Sequence, residues 1–377
     1  ATANGTYSLY IGGTLVATGV ATGDTADAIA TATAAAINAN TNLQVTAAAV
    51  ADTVTTTSKN KGPTANQVIF VENFFGAVAG QTFPAGVTTT LVQPSGGATA
   101  PDLTAAIAAL GDLPFDAIGI PFDTAVELDA LKTEIDRRWS PTVLIYGHVF
   151  AALTDTISDL WLFGNTRNNP HETVAGADPI APSPSMLLAA AWTGQAAVAL
   201  AADPAAPLQT LALNGYLGPI SPRSYTDRNS LLGNGIATST VIAGQSRIER
   251  SITTYQKDGN DQPSTTWLDV QTPFTLARIT RRLQSRILTT YPRHKLANNG
   301  TPIANGQRIT TPNMIKGLLV DEYAQTVIDG LCENPDLFKL ELVVVRDGSD
   351  PNRINVVYPA DLVNQLRVSA FRVDFTV

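Results

Sequence analysis

Residues 115–139 read FDAIGIPFDTAVELDALKTEIDRRW, and this stretch decides the fold class. It begins with a short, almost wholly apolar run, which is typical of a strand buried on both faces of a parallel sheet. The rest has helical periodicity with acids on its outer side. Four apolar residues of this helix are predicted to face inward: Val126, Leu128, Leu131 and Ile135. A buried strand followed by an amphipathic helix is the repeating unit of an α/β layer.

The same alternation extends in both directions along the chain. Strands and helices are predicted in turn at helix 101–110, strand 142–151, helix 154–165, strand 171–176 and helix 186–202. The last helix is apolar, but Thr193, Gly194 and Gln195 interrupt it, so we interpret it as a buried helix with no membrane insertion. The sequence therefore predicts a doubly wound α/β domain over residues 100–220.

A smaller module is predicted before this domain, over residues 1–95. Residues 7–20 read as two strands about the turn Gly12-Gly13, and Asp24 is predicted to cap an alanine-rich helix. Further strands are expected within residues 44–59 and 66–75, which makes an α+β module with a mostly antiparallel sheet. The chain opens without methionine inside a predicted strand, so we expect a longer precursor.

A third section, residues 221–377, is predicted to be an α+β domain. A helix is followed by two strands on either side of Ala243-Gly244. A basic helix and a second helix near residues 313–333 come next. A hairpin of strands at 338–347 and 354–362 follows, and period-two alternation predicts a final strand from residue 362 to the end.

The basic helix lies in residues 278–296, RITRRLQSRILTTYPRHKL, which contain no acid although the chain carries a net charge of −8. On a helix, Arg278, Arg281, Arg282 and Arg286 fall within an arc of roughly 140°. Leu276, Ile279, Leu283 and Ile287 lie on the other side. A merely solvated helix would usually mix acids with the bases, so the missing acids favour an acidic protein partner. The section is not basic overall and no aromatic residues interleave the arginines, which argues against nucleic acid.

The C-terminal residues suggest a second contact surface. Phe371, Val373, Phe375 and Val377 would share one face of an extended strand. Such a strand could join a sheet in another chain or pair within its own domain, and the pattern favours neither.

Motifs for chemistry are weak. A hydrolase would use Ser185 or His148, but no GxSxG elbow occurs, and a helix start explains Ser185. Phosphate-binding loops and metal-ligand spacings are missing from the sequence, so we expect no catalytic residues, no metal and no cofactor. The single cysteine, Cys332, is interpreted as a small buried side chain.

Several segments in order resemble the tail sheath proteins of contractile-tailed phages, most closely the Mu-like branch. They are GDTADAIATATAAAINA, TSKNKGPTANQV, DPAAPLQTLALNGY, RNSLLGNGIAT, IERSITTYQ, YPRHKL and PNRINVVYPADLVNQLRV. The resemblance covers nearly all of the chain. It implies an α/β core of subtilisin-like topology without protease activity, a small α+β outer insertion and a C-terminal inner domain.

The resemblance also implies a mechanical function. Subunits would stack as hexameric rings around the tail tube, share strands between neighbours, and contract to drive the tube through the host envelope. The implied partners are other copies of the chain, the tail tube protein, and the baseplate and tail terminator proteins. The chain would be found in the virion tail and, during assembly, in the host cytoplasm. The alternative is the sheath of a phage-derived contractile particle, or tailocin.

On this interpretation, residues 1–95 decorate the outside and residues 221–377 face the tube. Four arginines are predicted to bind the tube: Arg278, Arg281, Arg282 and Arg286. Six apolar residues are predicted to form the inter-subunit strand: Leu366, Val368, Phe371, Val373, Phe375 and Val377.

Overall fold

The structure is a computed structural model that describes residues 1–374. Contacts divide the chain into two compact units. The first contains residues 1–198 and 208–270, and the second contains residues 199–207 and the described residues from 271 onward.

The first unit begins with a small α+β region. Its elements are β1 (Gly5–Ile11), β2 (Thr14–Val20), α1 (Ala26–Ala39), β3 (Val45–Val50), β4 (Thr53–Ser58) and β5 (Phe70–Glu72). The hairpin prediction is confirmed, because Gly12 and Gly13 connect β1 to β2 with φ of 54° and 83°, which favours glycine. The cap of α1 differs by one residue: Thr25, not Asp24, accepts the backbone N–H of Ala28.

The strands of this region form two separate sheets rather than one. One has the order β2-β1-β5, and β3 pairs only with β4 among the described residues. Apolar side chains from α1 and both sheets form its core, including Ile11, Val16, Ile37 and Val45.

The rest of the first unit alternates strands and helices as predicted. Its elements are α2 (Thr104–Leu110), β6 (Ala117–Gly119), α3 (Ala125–Trp139), β7 (His148–Thr154), α4 (Ile157–Thr166), β8 (Glu172–Ala177), α5 (Ser185–Ala202), α6 (Tyr225–Leu232), β9 (Ile236–Ile242) and β10 (Gln245–Arg250). The last turn of α5 belongs to the second unit.

One five-stranded sheet organises these elements. Its order is β10-β9-β8-β7-β6, with β6 to β9 parallel and β10 antiparallel to β9. Strands β9 and β10 were predicted to belong to the third section, but they pair into this sheet. The parallel strands follow chain order without a reversal, unlike a doubly wound sheet.

Helices nevertheless cover both faces of the sheet. Leu128 of α3, Leu160 of α4 and Leu231 of α6 pack in one cluster with the sheet residues that share the face of Ile118. Gly119 points the other way, and a Cβ there would lie 2.7 Å from the hydroxyl of Thr193 in α5. The glycine therefore allows α5 to lie close to the opposite face.

The inward face of α3 differs from the prediction at one residue. Leu128, Leu131 and Ile135 are buried as predicted, but Val126 is 74% exposed, and that prediction is wrong. Two residues correspond to about 200° of rotation on a helix, so Val126 lies opposite Leu128.

A buried ion pair lies next to the start of β8. Arg167, just after α4, donates from Nε and Nη2 to the two carboxylate oxygens of Glu172 at 3.0 and 2.7 Å. Its Nη1 donates to Asp129 of α3 at 2.5 Å. Both Arg167 and Glu172 are buried, so the pair ties α3, α4 and β8 together away from solvent.

The second unit is mainly helical. Its elements are α7 (Gln271–Thr290), β11 (Lys295–Leu296), β12 (Ile309–Thr310), α8 (Pro312–Ile328), α9 (Pro335–Glu341), β13 (Val343–Arg346) and β14 (Ile354–Val357). The core lies between α7, α8 and α9, where the rings of Tyr323 and Phe338 stack at 3.7 Å. A strand was predicted from Phe338 onward, but α9 occupies that position because Pro335 starts a helix that buries Phe338.

The predicted final strand is not formed within the part of it that the structure describes. Residues 363–374 contain no strand, and Leu362 makes one isolated bridge to Cys332. Leu366, Val368, Phe371 and Val373 are exposed, Phe371 by 87%. Phe375 and Val377 lie outside the described residues. A strand requires a neighbouring ladder, and residues 363–374 have none within the described chain.

Candidate assembly interface

Helix α7 has the two faces that its sequence predicts. Ile279, Leu283 and Ile287 pack into the core of the second unit, as expected. Arg278, Arg281 and Arg282 are half-exposed and Arg286 is exposed, so the four form an arginine face, a name that we keep for these residues.

Acidic partners for this face come from α8 and the residue that follows it. Arg282 donates from Nε to Glu322 at 2.9 Å and from Nη1 to Asp329. Arg286 donates from Nη2 to Asp321 at 2.9 Å, and its Nε lies 3.5 Å from Glu322. Residues 278–296 hold no acid themselves, but in the folded chain the adjacent helix supplies acids to Arg282 and Arg286.

The three acids differ strongly in burial. The side chain of Glu322 is 8% exposed, whereas those of Asp321 and Asp329 are 59% and 50% exposed. The largest single effect on the pKa of Arg282 is burial, which lowers it. The hydrogen bonds and charges of Asp329 and Glu322 outweigh burial together, so the pKa lies above the usual arginine value. Arg282 therefore stays charged, and Glu322 anchors the network.

Sequence reasoning missed this network, although a signal for it exists. Arg282 and Arg286 lie one helical turn apart in α7, and Glu322 lies seven residues before Asp329, the residue that ends α8. Pairing these arginines with these acids from the sequence would require knowing that α7 and α8 pack together.

Another contact of the arginine face is local. Arg278 donates to the backbone carbonyl of Ala201, in the last turn of α5. A cation at a helix C-terminus is stabilised by the unpaired carbonyl groups there.

A second surface is the two-stranded sheet of β13 and β14. Within residues 1–374 no third strand pairs with either strand, so both outer edges are open. Val343 lies opposite Val357, and these two residues and Val345 are exposed. An open sheet edge beside an exposed apolar face can accept a strand from another chain.

The candidate catalytic residues are not brought together. Ser185 donates to Gln67 at 2.5 Å and lies 3.4 Å from Asp123, whereas His148 is buried with its Nε2 2.9 Å from the hydroxyl of Thr173. Burial holds the pKa of His148 well below its usual value, and also lowers the pKa of His171, which stacks on Trp139, to about 4. Neither histidine is placed as a base for Ser185.

Within residues 1–374, no group of three or more His, Cys, Asp or Glu side chains could hold a metal ion. By its length and composition alone, helix α5 could cross a membrane. Leu188, Trp192, Ala196 and Leu200 recur every four residues and are buried, which indicates a helix with one packed face.

Comparison with known proteins identifies the family. The phage tail sheath protein central domain matches residues 96–254, and the phage tail sheath C-terminal domain matches residues 262–376. The Mu-like prophage FluMu tail sheath protein of Haemophilus influenzae is 36% identical over 377 residues, which are the whole of this chain and 77% of that protein.

Two solved structures have a similar fold. The sheath tail protein of Desulfitobacterium hafniense matches with a TM-score of 0.51 and 12% identity, over 96% of this chain and 74% of that one. A sheath tail protein of Listeria innocua matches with a TM-score of 0.51 and 13% identity, over 75% of this chain and 63% of that one. Both support a mixed α/β multidomain fold of the sheath type.

The class of protein is thus a tail sheath protein, whose role is structural and not enzymatic. More particularly, the chain belongs to the Mu-like phage tail sheath family and is a structural subunit of a contractile tail sheath. The resemblance found in the sequence is confirmed.

Proposed function

We propose that this subunit polymerises as stacked hexameric rings around a tail tube and that their contraction drives the tube through the host envelope. Membership of the Mu-like sheath family carries this proposal. The sheath would end at the baseplate and tail terminator proteins, in a virion tail or a phage-derived particle assembled in the host cytoplasm.

The proposed layout modifies the predicted domains at one boundary. Residues 1–95 decorate the outside. The sheath domain of subtilisin-like topology, predicted over residues 100–220, also takes in β9 and β10, which pair into its sheet. The rest of the predicted residues 221–377 form the inner domain. The sheet of β6 to β9 with helices on both faces supports an α/β layer in the sheath domain.

The arginine face is our proposed contact with the tube. Exposed ion pairs contribute only about 0–1 kcal/mol each, so a single subunit would bind the tube weakly. Many subunits acting together can hold an extended sheath, and each weak contact can break when the sheath contracts.

Strand exchange is our proposed contact between subunits. The residues from Leu366 to Val377 would add to the open edge of β13 or β14 in a neighbour. The exposed side chains of Leu366, Val368, Phe371 and Val373 and the open two-stranded sheet support this pairing. Backbone hydrogen bonds would then keep neighbours connected while weaker contacts change.

Deleting residues 366–377 tests the strand exchange. Electron microscopy should show tubes or rings for the full chain and only dispersed subunits for the truncated one, with circular dichroism unchanged. Val373→Pro, which removes a backbone N–H, should weaken assembly, whereas Val373→Ala keeps that donor and should assemble. Tubes formed by the truncated chain would show that the proposed donor is incorrect.

Charge reversal tests the tube contact. Arg281→Glu should reduce co-assembly with tubes, most clearly at low salt, because screening weakens exposed charges. Lys339→Glu is the matched control, since it reverses an exposed charge on α9 away from the arginine face. Equal co-assembly by the two variants would exclude the arginine face.

A further inference from the structure

The ion pairs of the arginine face separate into an inner and an outer set. Glu322 accepts from Nε of Arg282 and lies beside Nε of Arg286. Glu322 also lies 2.8 Å from Nη2 of Arg282. Each exposed aspartate binds a different terminal nitrogen: Asp329 binds Nη1 of Arg282, and Asp321 binds Nη2 of Arg286. Each guanidinium is therefore held on its inner side by a buried acid and at its tip by an exposed one.

These two sets differ in how easily they break. Removing the arginines from Glu322 would leave a buried carboxylate without a partner, which is strongly unfavourable. The pairs with Asp321 and Asp329 are at least half-exposed on the acid side, so each contributes about 0–1 kcal/mol and is screened by salt. An incoming carboxylate could replace either aspartate while Glu322 keeps the arginine in position.

The charges also indicate that Asp321 and Asp329 compete with an acidic partner. Arg282, Arg286 and their three acids together carry −1, and without the two aspartates the set would carry +1. The aspartates therefore reduce the attraction of this surface for an acidic partner before contact.

We propose that Asp321 and Asp329 are built-in competitors, which occupy the guanidinium tips of Arg282 and Arg286 until carboxylates on an acidic protein surface displace them. This inference rests on the proposed tube contact and adds its regulation. Binding is then an exchange of ion pairs, so the arginine face is only weakly adhesive on a free subunit.

The test uses the full chain and poly-L-glutamate as the acidic probe. The double variant Asp321→Asn with Asp329→Asn should bind the probe about tenfold more tightly than the unmodified chain at low salt, since two competing charges of about 0.5–1 kcal/mol each are removed. The gain should shrink as salt increases. Asp336→Asn, an exposed change on α9, should leave the affinity unchanged.

Two further variants separate the possible failures. Asp321→Asn alone should give part of the gain, and thermal unfolding of each variant checks the fold. If Arg286→Gln weakens binding but the double variant binds like the unmodified chain, competition is wrong and the arginine face survives. If Arg286→Gln has no effect, or if a DNA oligonucleotide binds more tightly than poly-L-glutamate, both this inference and the tube contact are wrong.

Discussion

Two arginine networks in this chain use the same chemistry in opposite surroundings. Arg167 and Glu172 of the first unit are both buried and share two hydrogen bonds. Arg282 and Arg286 of the second unit are partly exposed, and two of their three acids face solvent. Burial, more than the identity of the paired residues, decides whether an ion pair fixes the fold or remains available to a partner.

The largest expected effect comes from breaking the buried network. Glu172→Gln leaves the Arg167 guanidinium buried with only Asp129 as an acidic partner, and should lower the free energy of unfolding by about 3–5 kcal/mol. Chemical denaturation measures this loss. Asp129→Asn, a change at the exposed end of the same network, is the control and should cost less than about 1 kcal/mol. Similar losses for both variants would contradict the comparison.

Acid should affect the first unit through its buried histidines. Burial lowers the pKa of His171 to about 4, below its value of about 6.5 in an unfolded chain, so the unfolded state binds more protons. This contribution to stability is complete above about pH 7 and is lost as the pH falls toward 4.

The variant His171→Phe isolates this contribution because it keeps an aromatic ring against Trp139 without a titrating group. Between pH 7.5 and pH 5, the unmodified chain should lose about 2 kcal/mol more stability than the variant. Denaturation curves at several pH values measure the difference, and parallel pH profiles would rule out His171 as its source.

Glu322→Gln should give an intermediate effect. The acid is buried, but the arginines that it holds are partly exposed and can regain water, so we expect a loss of about 1–2 kcal/mol in thermal or chemical unfolding. A loss as large as that for Glu172→Gln would mean that the second network is as rigid as the first.

Asp329→Asn should have the smallest effect on stability, below about 1 kcal/mol, because its pair is exposed. The affinity of this variant for poly-L-glutamate should nevertheless rise. A change in binding without a change in stability would distinguish an exchangeable pair from a structural one.

Local patterns in the sequence predicted most helices and several strands, for physical reasons that particular elements illustrate. The apolar spacing of Ile279, Leu283 and Ile287 identified the buried side of α7, and Gly12-Gly13 identified a turn that requires positive φ. Such features depend on neighbours within a few residues.

Features that depend on distant residues were missed. The acids opposite Arg282 lie 40 and 47 residues away, and only the packing of α7 on α8 brings them there. Likewise, β9 was assigned to the third section because its pairing with β8 has no local signature. Period-two alternation after Leu362 indicated an extended segment but could not supply the ladder that makes a strand.

The open edges of the β13–β14 sheet have a consequence for growth. If one molecule carries both a donor segment and an acceptor edge, its two ends are unlike, and each subunit added recreates the site for the next. Such contacts close into a ring where the rotation between neighbours permits, and otherwise continue as a polymer with direction but no intrinsic stopping point. The length of such a polymer would then be set by another component that measures it or ends it, and not by the subunit itself.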